Sequence, residues 1–456
     1  MNLLRSINPA TNELLDSYAQ PTDAEMMAAV DQSYLTFLEW RKTSVSERTA
    51  ALRRTAKLLD ERQEELARLI TLEMGKAIAE ARGEIAKCAW LCRYYADNAE
   101  NFLAPERVET EAVLSYLRFD PIGIVLAIMP WNFPFWQVFR FAAPALMAGN
   151  AGLLKHAANV SGCGRAIEGL FRDAGFPEGL FHFLPIGSER VAQLLQHPKV
   201  RAATLTGSEK AGRAVAREAG NLIKKTVLEL GGSDAYLVLE DADLELAARV
   251  CAQSRLINAG QSCIGAKRFI VVEAVHDRFV ELFREQLAAA RLGDPLDEET
   301  QLGPLARPDL RDELHRQVQD SMALGAKCRL GGKIPAGKGA FYPPTLLTEV
   351  EPGMPAYHEE LFGPVAAVIR ANDEEHAIRL ANDSSFGLGA AVFTKDKARG
   401  ERIAAHELEA GSCFVNAFVR SDPRLPFGGV KNSGYGRELS RYGMLEFVNV
   451  KTVYLE

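Results

Sequence analysis

Cys263 lies in a short polar turn, Asn258 to Cys263, that suits a reactive thiol. An amphipathic segment precedes the turn from Asp243 to Arg255, and an apolar run follows it from Lys267 to Val272. This pattern predicts a helix and then a strand, which would hold the sulfur rigidly at a cleft. Most free cysteines are instead buried and inert, so the turn alone leaves both interpretations open.

A glutamate and an asparagine are the other candidates for chemistry. Glu229 stands in the apolar run Leu228 to Gly232, which is a poor setting for a surface residue. Burial would raise its pKa towards that of a general base, whereas pairing with a buried lysine or arginine would make it structural. Asn132 lies between prolines in Met129 to Pro134, where its amide could donate to an oxygen that gains charge or could serve only a turn.

An anion-binding turn is predicted at Thr206, Gly207 and Ser208, where a strand gives way to a helix. Backbone N–H groups at a helix N-terminus bind phosphate, and a glycine permits close approach. An ordinary capped helix would have the same sequence, and the chain contains no GxGxxG motif. Lys155 ends another predicted strand, from which it could reach a ribose or a phosphate, or could simply lie on the surface.

Strands and helices alternate from Pro121 onward, and these elements must position the candidates. Strands are predicted at 122–129, 152–155, 181–185, 200–206, 267–273, 364–370, 389–394 and 412–416, and helices near 136–148, 161–174, 188–196, 208–220, 276–290, 308–324, 373–382 and 397–407. This order predicts an α/β fold with two doubly wound parallel-sheet domains and a cleft between them. Ligands of such sheets bind at the carboxyl ends of the strands.

The first hundred residues predict helices. Thr22 and Glu25 form a capping pair, Ser46 to Met74 is interpreted as one long helix that ends at Gly75, and another helix is expected from about Ala77 to Asn101. Their charged residues are interpreted as solvent-facing, without a part in chemistry.

Two strand patterns far apart in the sequence predict an oligomerisation arm. Residues 108–119 alternate in polarity, and so does the C-terminal stretch after Val448. Exposed strands need cover, which favours a homodimer or homotetramer over a private two-stranded ribbon. We expect a cofactor-binding domain at 1–103 and 122–231, a catalytic domain at 232–445, and the arm at 104–121 and 446–456.

The composition of the chain limits the kinds of partner that it is expected to bind. The net charge of −7 argues against nucleic acid as the main partner, and no apolar run is long enough to span a membrane. The seven cysteines are dispersed and odd in number, which predicts reduced thiols and a cytoplasmic protein. Cys88 and Cys92 have no histidine or second cysteine pair nearby, so no metal site is expected.

Six motifs together resemble the NAD(P)-dependent aldehyde dehydrogenase superfamily over essentially the whole chain. In order they are Pro130–Pro134, Thr206–Ser208, Glu229–Gly232, Gly260–Cys263, Glu360–Pro364 and Pro426–Gly429. The spacing of 34 residues between Glu229 and Cys263 also matches. Within the superfamily the chain is most similar to the short bacterial succinate-semialdehyde dehydrogenases.

The resemblance implies a role for each motif. Cys263 would attack the aldehyde carbonyl, Asn132 would hold the oxyanion, and Glu229 would activate the water that hydrolyses the thioester. Lys155 and Glu360 would bind the two riboses of the cofactor. Thr206, Gly207 and Ser208 would bind its pyrophosphate, and Trp131 and Phe362 would lie beside the bound dinucleotide.

Substrate choice rests on three further residues. Arg140 stands where semialdehyde dehydrogenases place an arginine for the substrate carboxylate, and Ser421 and Gln137 are expected to line the same pocket. The family's second arginine is replaced by Ile257, so part of the carboxylate site is missing unless Arg420 or Arg424 supplies it. Gly265 replaces a cysteine that forms a redox switch in some relatives, so no such switch is expected.

Cofactor choice is expected to include NADP as well as NAD. Many NAD-preferring relatives have a glutamate three residues after the lysine, where it would repel a 2′-phosphate. Here that position is Ala158. Another acidic side chain could still fill the gap.

Two other functions are compatible with a similar fold. CoA-acylating relatives lack the glutamate base, so Glu229 argues against that activity. A binding protein without turnover is disfavoured because Cys263, Glu229 and Asn132 are all present. Oxidation of another semialdehyde or of an aliphatic aldehyde remains an alternative to succinate semialdehyde.

Overall fold

The computed structural model describes residues 3–456. Its strands are β1 (Leu3–Ile7), β2 (Leu14–Ala19), β3 (Glu106–Arg107), β4 (Leu114–Pro121), β5 (Ile124–Met129), β6 (Ala151–His156), β7 (Phe181–Phe183), β8 (Val200–Thr206), β9 (Lys225–Glu229), β10 (Ala235–Val238), β11 (Arg268–Val272), β12 (Lys327–Leu330), β13 (Thr345–Thr348), β14 (Val365–Ala371), β15 (Phe386–Gly387), β16 (Gly389–Phe393), β17 (Ser412–Val415), β18 (Val430–Lys431), β19 (Gly434–Tyr435) and β20 (Val448–Leu455).

The helices connect and cover these strands. They are α1 (Asp23–Trp40), α2 (Val45–Glu61), α3 (Gln63–Met74), α4 (Ile78–Leu103), α5 (Trp136–Met147), α6 (Ser161–Asp173), α7 (Val191–Gln196), α8 (Glu209–Asn221), α9 (Leu244–Leu256), α10 (His276–Ala288), α11 (Pro308–Ala323), α12 (Pro355–His358), α13 (Glu374–Asn382), α14 (Lys397–His406) and α15 (Ser440–Leu445). None of the helices within residues 3–456 is long and apolar enough to cross a membrane.

Two large sheets confirm the predicted α/β class. The first has the strand order β19-β9-β8-β5-β6-β7, and the second has the order β12-β13-β14-β11-β10-β16-β17. Their inner strands pair in parallel, while β19 and β12 are antiparallel edge strands. The buried strands of both sheets carry apolar side chains on both faces, as parallel sheets covered by helices do.

The N-terminal helices follow the predicted signals with one difference. Thr22 and Glu25 form a capping box that starts α1. Gly75 ends α3 with a φ of 82°, and a Cβ there would lie 2.7 Å from a carbon of Pro304. The single helix predicted over Ser46 to Met74 is wrong, because the backbone turns at Arg62 and divides it into α2 and α3.

The predicted arm is a three-stranded antiparallel sheet with the order β20-β4-β3. Its strands β4 and β20 pair over their full length, from Leu114 opposite Leu455 to Pro121 opposite Val448. The strand predicted over 108–119 begins only at Leu114, because the chain turns between β3 and β4. The outer edge of β20 is unpaired within the described chain.

The C-terminal segment returns to the first sheet, which differs from the predicted boundary at residue 445. Gly434 of β19 pairs with Glu229 of β9. Phe427, Leu439 and Met444 belong to the apolar core of the first sheet. This segment was predicted as part of the catalytic domain because nothing in its sequence indicates which core it joins.

Candidate active site

A cavity of about 250 Å³ contains Cys263 at its wall. The helices α4 and α5, the turn before Cys263 and the loop after β17 surround it. Its lining residues are Lys76, Glu80, Gly83, Glu84, Lys87, Phe133, Trp136, Gln137, Arg140, Ser254, Ile257, Asn258, Ser262, Cys263, Ile264, Phe418, Val419, Arg420, Ser421 and Phe427. Three predicted substrate residues, Arg140, Gln137 and Ser421, therefore share one cavity with the predicted nucleophile.

The turn before Cys263 has an unusual backbone. Asn258, Ala259 and Gly260 all have positive φ angles, of 54°, 52° and 75°. A Cβ at Gly260 would lie 2.2 Å from the backbone carbon of Gly363, so only glycine fits this contact. The Cys263 turn is thus pressed against the loop that carries Glu360 and Phe362.

The buried side chain of Lys267 stabilises this turn by hydrogen bonds to its backbone. The Lys267 ammonium donates to the carbonyl oxygens of Ser262 and Cys263, at 2.8 and 2.5 Å, and its nitrogen lies 3.3 Å from Glu360. Arg255, also buried, donates to the carbonyl of Gly260. Nothing in the sequence indicates this role of Lys267, because a lysine at the start of a strand gives no signal of burial.

The Cys263 thiol has a raised pKa, of about 12, mainly because burial disfavours the thiolate. The positive charges of Arg140 and Lys267 act in the opposite direction. The sulfur is therefore a protonated thiol in the chain without ligands, and it must lose its proton before it can act as a nucleophile.

Asn132 connects the Pro130–Pro134 loop to the Cys263 turn. Its Nδ2 donates to the carbonyl of Gln261 at 3.0 Å, and its Oδ1 accepts from Gln137 at 2.9 Å. Asn258 Nδ2 donates in turn to the carbonyl of Asn132 at 2.7 Å. The amide is fixed against the Cys263 turn through Gln261, although Asn132 is not among the residues that line the cavity. One of its two N–H groups has no protein partner among the described residues.

Glu229 ends β9 and is 2% exposed. Neither of its carboxylate oxygens has a hydrogen-bond partner among residues 3–456. Burial raises its pKa well above the usual range, the negative charge of Glu438 raises it further, and Arg140 lowers it. The burial and raised pKa agree with the sequence prediction, and no lysine or arginine forms a salt bridge with it in the described chain.

Arg140 already has a carboxylate partner. Its Nε lies 2.7 Å from Glu438, and its guanidinium packs over the Phe427 ring at 4.7 Å. Both side chains are almost fully buried, and burial raises the pKa of Glu438 while the positive charge of Arg140 lowers it. Glu438 was missed by the sequence analysis, since its contact with α5 depends on how the C-terminal segment returns.

The predicted cofactor residues lie at the carboxyl ends of the first sheet and on the facing loop. Ser208 caps α8, and Gly207 N–H donates to the carbonyl of Glu229 at 2.9 Å, so the anion-binding turn adjoins the candidate base. Lys155 is at the end of β6, where burial lowers its pKa and Glu189 raises it. Ala158 begins a short 3-10 turn just beyond it.

The Glu360–Pro364 loop lies against the Cys263 turn. Glu360 accepts from the backbone N–H of Gly232 at 3.0 Å. The rings of Trp131 and Phe362 meet edge to face, with centroids 5.7 Å apart, and both are half-buried. The loop thus brings Glu360 and the Phe362 ring close to the Cys263 turn, and Trp131 contacts that ring from the Pro130–Pro134 loop.

The helix α4 adds charged residues that the sequence analysis interpreted as solvent-facing. Glu80, Glu84 and Lys87 follow each other at helical spacing and line the cavity instead. Glu84 pairs with Lys76 and accepts from the first backbone N–H groups of α5. Glu80 accepts from the Asn258 N–H, and burial raises its pKa to about 7. The regular spacing was a usable signal, but surface helices show the same pattern.

No group of three or more metal-ligating side chains occurs within residues 3–456. All seven cysteines are free thiols in the structure.

Known proteins give a consistent match. The model of the aldehyde dehydrogenase family matches residues 2–453. A protein of Synechocystis named probable succinate-semialdehyde dehydrogenase [NADP(+)] is 49% identical over 452 residues, which cover 99% of both chains. A succinate semialdehyde dehydrogenase [NAD(P)+] of Escherichia coli K12 is 48% identical, over 98% of this chain and 97% of the other.

Solved structures agree with the sequence relatives. The succinic semialdehyde dehydrogenase of Streptococcus pyogenes, determined with NADP+, superposes with a TM-score of 0.97 at 39% identity, covering 99% of each chain. These matches extend over the whole cavity and both large sheets. The chain belongs to the aldehyde dehydrogenase family.

Proposed function

We propose that this enzyme oxidises succinate semialdehyde to succinate with NADP+, and also accepts NAD+. The observation that carries the proposal is the cavity that joins Cys263 to a wall containing the Lys87 ammonium and the Ser421 hydroxyl. An aldehyde with a carboxylate at its far end fits such a cavity. Relatives named as succinate-semialdehyde dehydrogenases, at 48–49% identity, support the same substrate.

The reaction begins at Cys263. Its sulfur attacks the aldehyde carbonyl and forms a thiohemiacetal, after the thiol has lost its proton. The Asn132 amide, held against the Cys263 turn by Gln261 and Gln137, donates to the oxygen that gains charge. A nicotinamide cofactor, when bound, supplies the acceptor for the hydride that leaves the thiohemiacetal carbon.

Hydrolysis of the resulting thioester falls to Glu229. Its carboxylate makes no hydrogen bond within the described chain, so it is available to a water molecule. The raised pKa makes it a stronger base than an exposed glutamate once it is ionised. Its proton acceptance generates the nucleophile that releases the carboxylic acid and the free thiol.

The residues present suit a dinucleotide. The turn at Ser208 exposes the N-terminus of the long helix α8, and a Cβ at Gly207 would meet only one side-chain carbon at 3.6 Å, so the backbone there is open to a phosphate. Lys155 and Glu360 would hold the two riboses, and Trp131 and Phe362 would bound the nicotinamide end.

The absence of a carboxylate at Ala158 favours NADP+. A 2′-phosphate beside Lys155 is attracted by the ammonium group, and the alanine does not repel it. Glu189 is the acidic group whose charge acts on Lys155. It lies more than thirty residues after Lys155 in the sequence. If any acidic side chain replaces the missing carboxylate at Ala158 and repels the 2′-phosphate, it is Glu189.

Initial rates test both parts of the proposal. We expect succinate semialdehyde to be oxidised with a higher kcat/KM than its neutral methyl ester, and NADP+ to be used at a measurable rate. Ala158→Glu should shift the ratio of kcat/KM values towards NAD+ by about tenfold or more, chiefly through the KM for NADP+. An enzyme that is inactive with saturating NADP+, or a variant with an unchanged ratio, would contradict the cofactor assignment.

Assembly and location complete the proposal. We infer a homodimer or homotetramer from the unpaired outer edge of β20, whose Val450, Tyr454 and Leu455 are exposed hydrophobic residues. Seven free thiols suit a reducing compartment, so we place the enzyme in the cytoplasm. Light scattering of the purified enzyme measures the first point directly: a monomer at micromolar concentration would contradict it.

A further inference from the structure

Basic side chains of the cavity differ in whether their charge is already neutralised. The lining includes Lys76, Lys87, Arg140 and Arg420. A substrate carboxylate needs a cation that has no acidic partner in the free enzyme, because a cation that already has one gains less from a second. The four can therefore be compared by their partners.

Two of the four already have an acidic partner within the protein. Lys76 forms a fully buried salt bridge with Glu84. Arg140, the residue assigned to the carboxylate by resemblance, has Glu438 at 2.7 Å. Arg424, the other replacement considered for the missing arginine, is tied to Asp422 at 2.7 Å and does not line the cavity.

Lys87 has no acidic side chain within 4.0 Å of its ammonium nitrogen among residues 3–456. Its nitrogen donates to Ser421 Oγ at 2.8 Å and lies 4.1 Å from the centroid of the Trp136 ring. The lysine is thus aimed at the residue that was predicted to bind substrate. Ile257, which replaces the second arginine of the family, lines the same cavity.

We propose that Lys87, with Ser421, binds the remote carboxylate of the aldehyde substrate and takes the place of the arginine that is absent at Ile257. This inference rests on the proposed function and names the residue responsible for its specificity. The carboxylate would accept from the Lys87 ammonium and from the Ser421 hydroxyl, which can rotate its proton towards the ligand because it accepts from Lys87.

The electrostatics of the empty cavity agree with this arrangement. Burial and the positive charge of Arg140 lower the pKa of Lys87 to about 8. The groups that face it are Arg140 on α5, Glu84 and Cys88 on its own helix, and Asp422 on the C-terminal loop. A bound carboxylate would stabilise the ammonium form, so substrate binding and protonation of Lys87 favour each other.

Arg420 is the competing cation. It also lines the cavity and forms no salt bridge within the described chain, but its side chain is exposed and lies over Phe418 at 5.9 Å. A charge in water contributes less to a charge-assisted hydrogen bond than a buried one, because the higher dielectric weakens it. Lys87 is therefore the stronger candidate.

The test compares succinate semialdehyde with methyl 4-oxobutanoate, its neutral ester, in the full-length enzyme with NADP+. We expect Lys87→Met to lower the ratio of kcat/KM values for acid over ester by about 10- to 100-fold, mainly through the KM for the acid. Lys87→Arg should retain most of the ratio, because it retains the charge. Arg420→Met should leave the ratio within about twofold of wild type.

The pH dependence separates charge from packing. The acid-to-ester ratio of the wild-type enzyme should fall as the pH rises through about 8, where free Lys87 loses its proton. In Lys87→Arg the ratio should stay level over the same range, since arginine remains charged. Protonation of Cys263 and Glu229 affects both substrates and cancels in the ratio.

Other outcomes would overturn the inference. If Lys87→Met lowers kcat/KM equally for the acid and the ester, the lysine has only a structural role. If Arg420→Met lowers the acid-to-ester ratio more than Lys87→Met does, Arg420 binds the carboxylate. A wild-type enzyme that does not prefer the acid over the ester would contradict the proposed function itself. A wild-type preference that survives Lys87→Met would contradict only the role of Lys87.

Discussion

The Cys263 turn and the Glu229 pocket are built in opposite ways. Buried side chains donate hydrogen bonds to the backbone of the turn, from Lys267, Arg255 and Asn258. The Glu229 carboxylate has no donor at all within residues 3–456. The turn is stabilised in one strained shape, whereas the carboxylate is buried at a cost in free energy.

This difference indicates what each group needs. A nucleophile must stand at a fixed place relative to the carbonyl carbon, so its backbone is held on several sides. A general base must accept a proton from water, so a hydrogen bond from the protein would weaken it. Substitutions should therefore affect the two regions differently.

Replacing the nucleophile should have the largest effect. Cys263→Ala removes the only thiol in the cavity lining and should lower turnover by at least about 10⁴-fold. Binding of NADP+, measured by fluorescence titration, should remain near wild type because the turn is held through its backbone. Substantial turnover in the purified variant would show that another group performs the attack.

Replacing the base should slow one step only. Glu229→Gln should still form the acyl-enzyme, so stopped-flow traces should show a burst of NADPH followed by a steady rate about 10²- to 10⁴-fold lower. In wild type the steady rate should fall as the pH drops through the raised pKa of Glu229, and in the variant that dependence should disappear. A wild-type steady rate in the variant would exclude Glu229 as the base.

Glu229→Gln also tests how far the buried carboxylate destabilises the folded protein. Because the folded-state pKa of Glu229 is raised, the native protein keeps a proton that the unfolded chain releases, and stability is lost as the pH rises from the ordinary glutamate value through the raised one. Glu229→Gln should therefore unfold at a higher temperature than wild type above neutral pH, with a smaller difference at pH 5. A lower unfolding temperature at both pH values would show that the carboxylate is stabilising.

Removing the Lys267 side chain, which supports the Cys263 turn, should lower the rate less than replacing Glu229 does. It should also destabilise the protein, whereas Glu229→Gln stabilises it above neutral pH. Lys267→Met leaves the carbonyls of Ser262 and Cys263 without their donor, which costs about 1–3 kcal/mol. We expect kcat to fall by about 10- to 100-fold through displacement of the sulfur. Denaturant titration and initial rates check both, with Lys42→Met on the surface of the protein as the control. Wild-type values for both would show that the turn holds itself.

Local signals in the sequence predicted much of the fold. The capping pair at Thr22, the glycine that ends α3 and the apolar runs of the parallel strands gave elements within a few residues of the observed bounds. These features depend on neighbours in the chain. The division at Arg62 was not predicted, because the apolar periodicity continues across it.

Long-range contacts limited prediction of the site. The burial of Glu229 followed from the apolar run around it, and its raised pKa agrees. Lys267, Lys87 and Glu438 have ordinary neighbours in the sequence, and only the packing of distant elements places them at the cavity. The roles assigned to Asn132, Arg140 and the cofactor residues stay predictions.

The return of the C-terminal segment to the first sheet has a consequence for biosynthesis. Part of the wall around Glu229 is formed by Gly428 and Gly434, which leave the ribosome about 200 residues after the glutamate. Until they dock, β9 lacks its partner on one side and is an open edge of the sheet. The nascent chain therefore carries this sheet without its last edge strand for almost half of its synthesis, and the pocket of the hydrolytic base is completed late in folding.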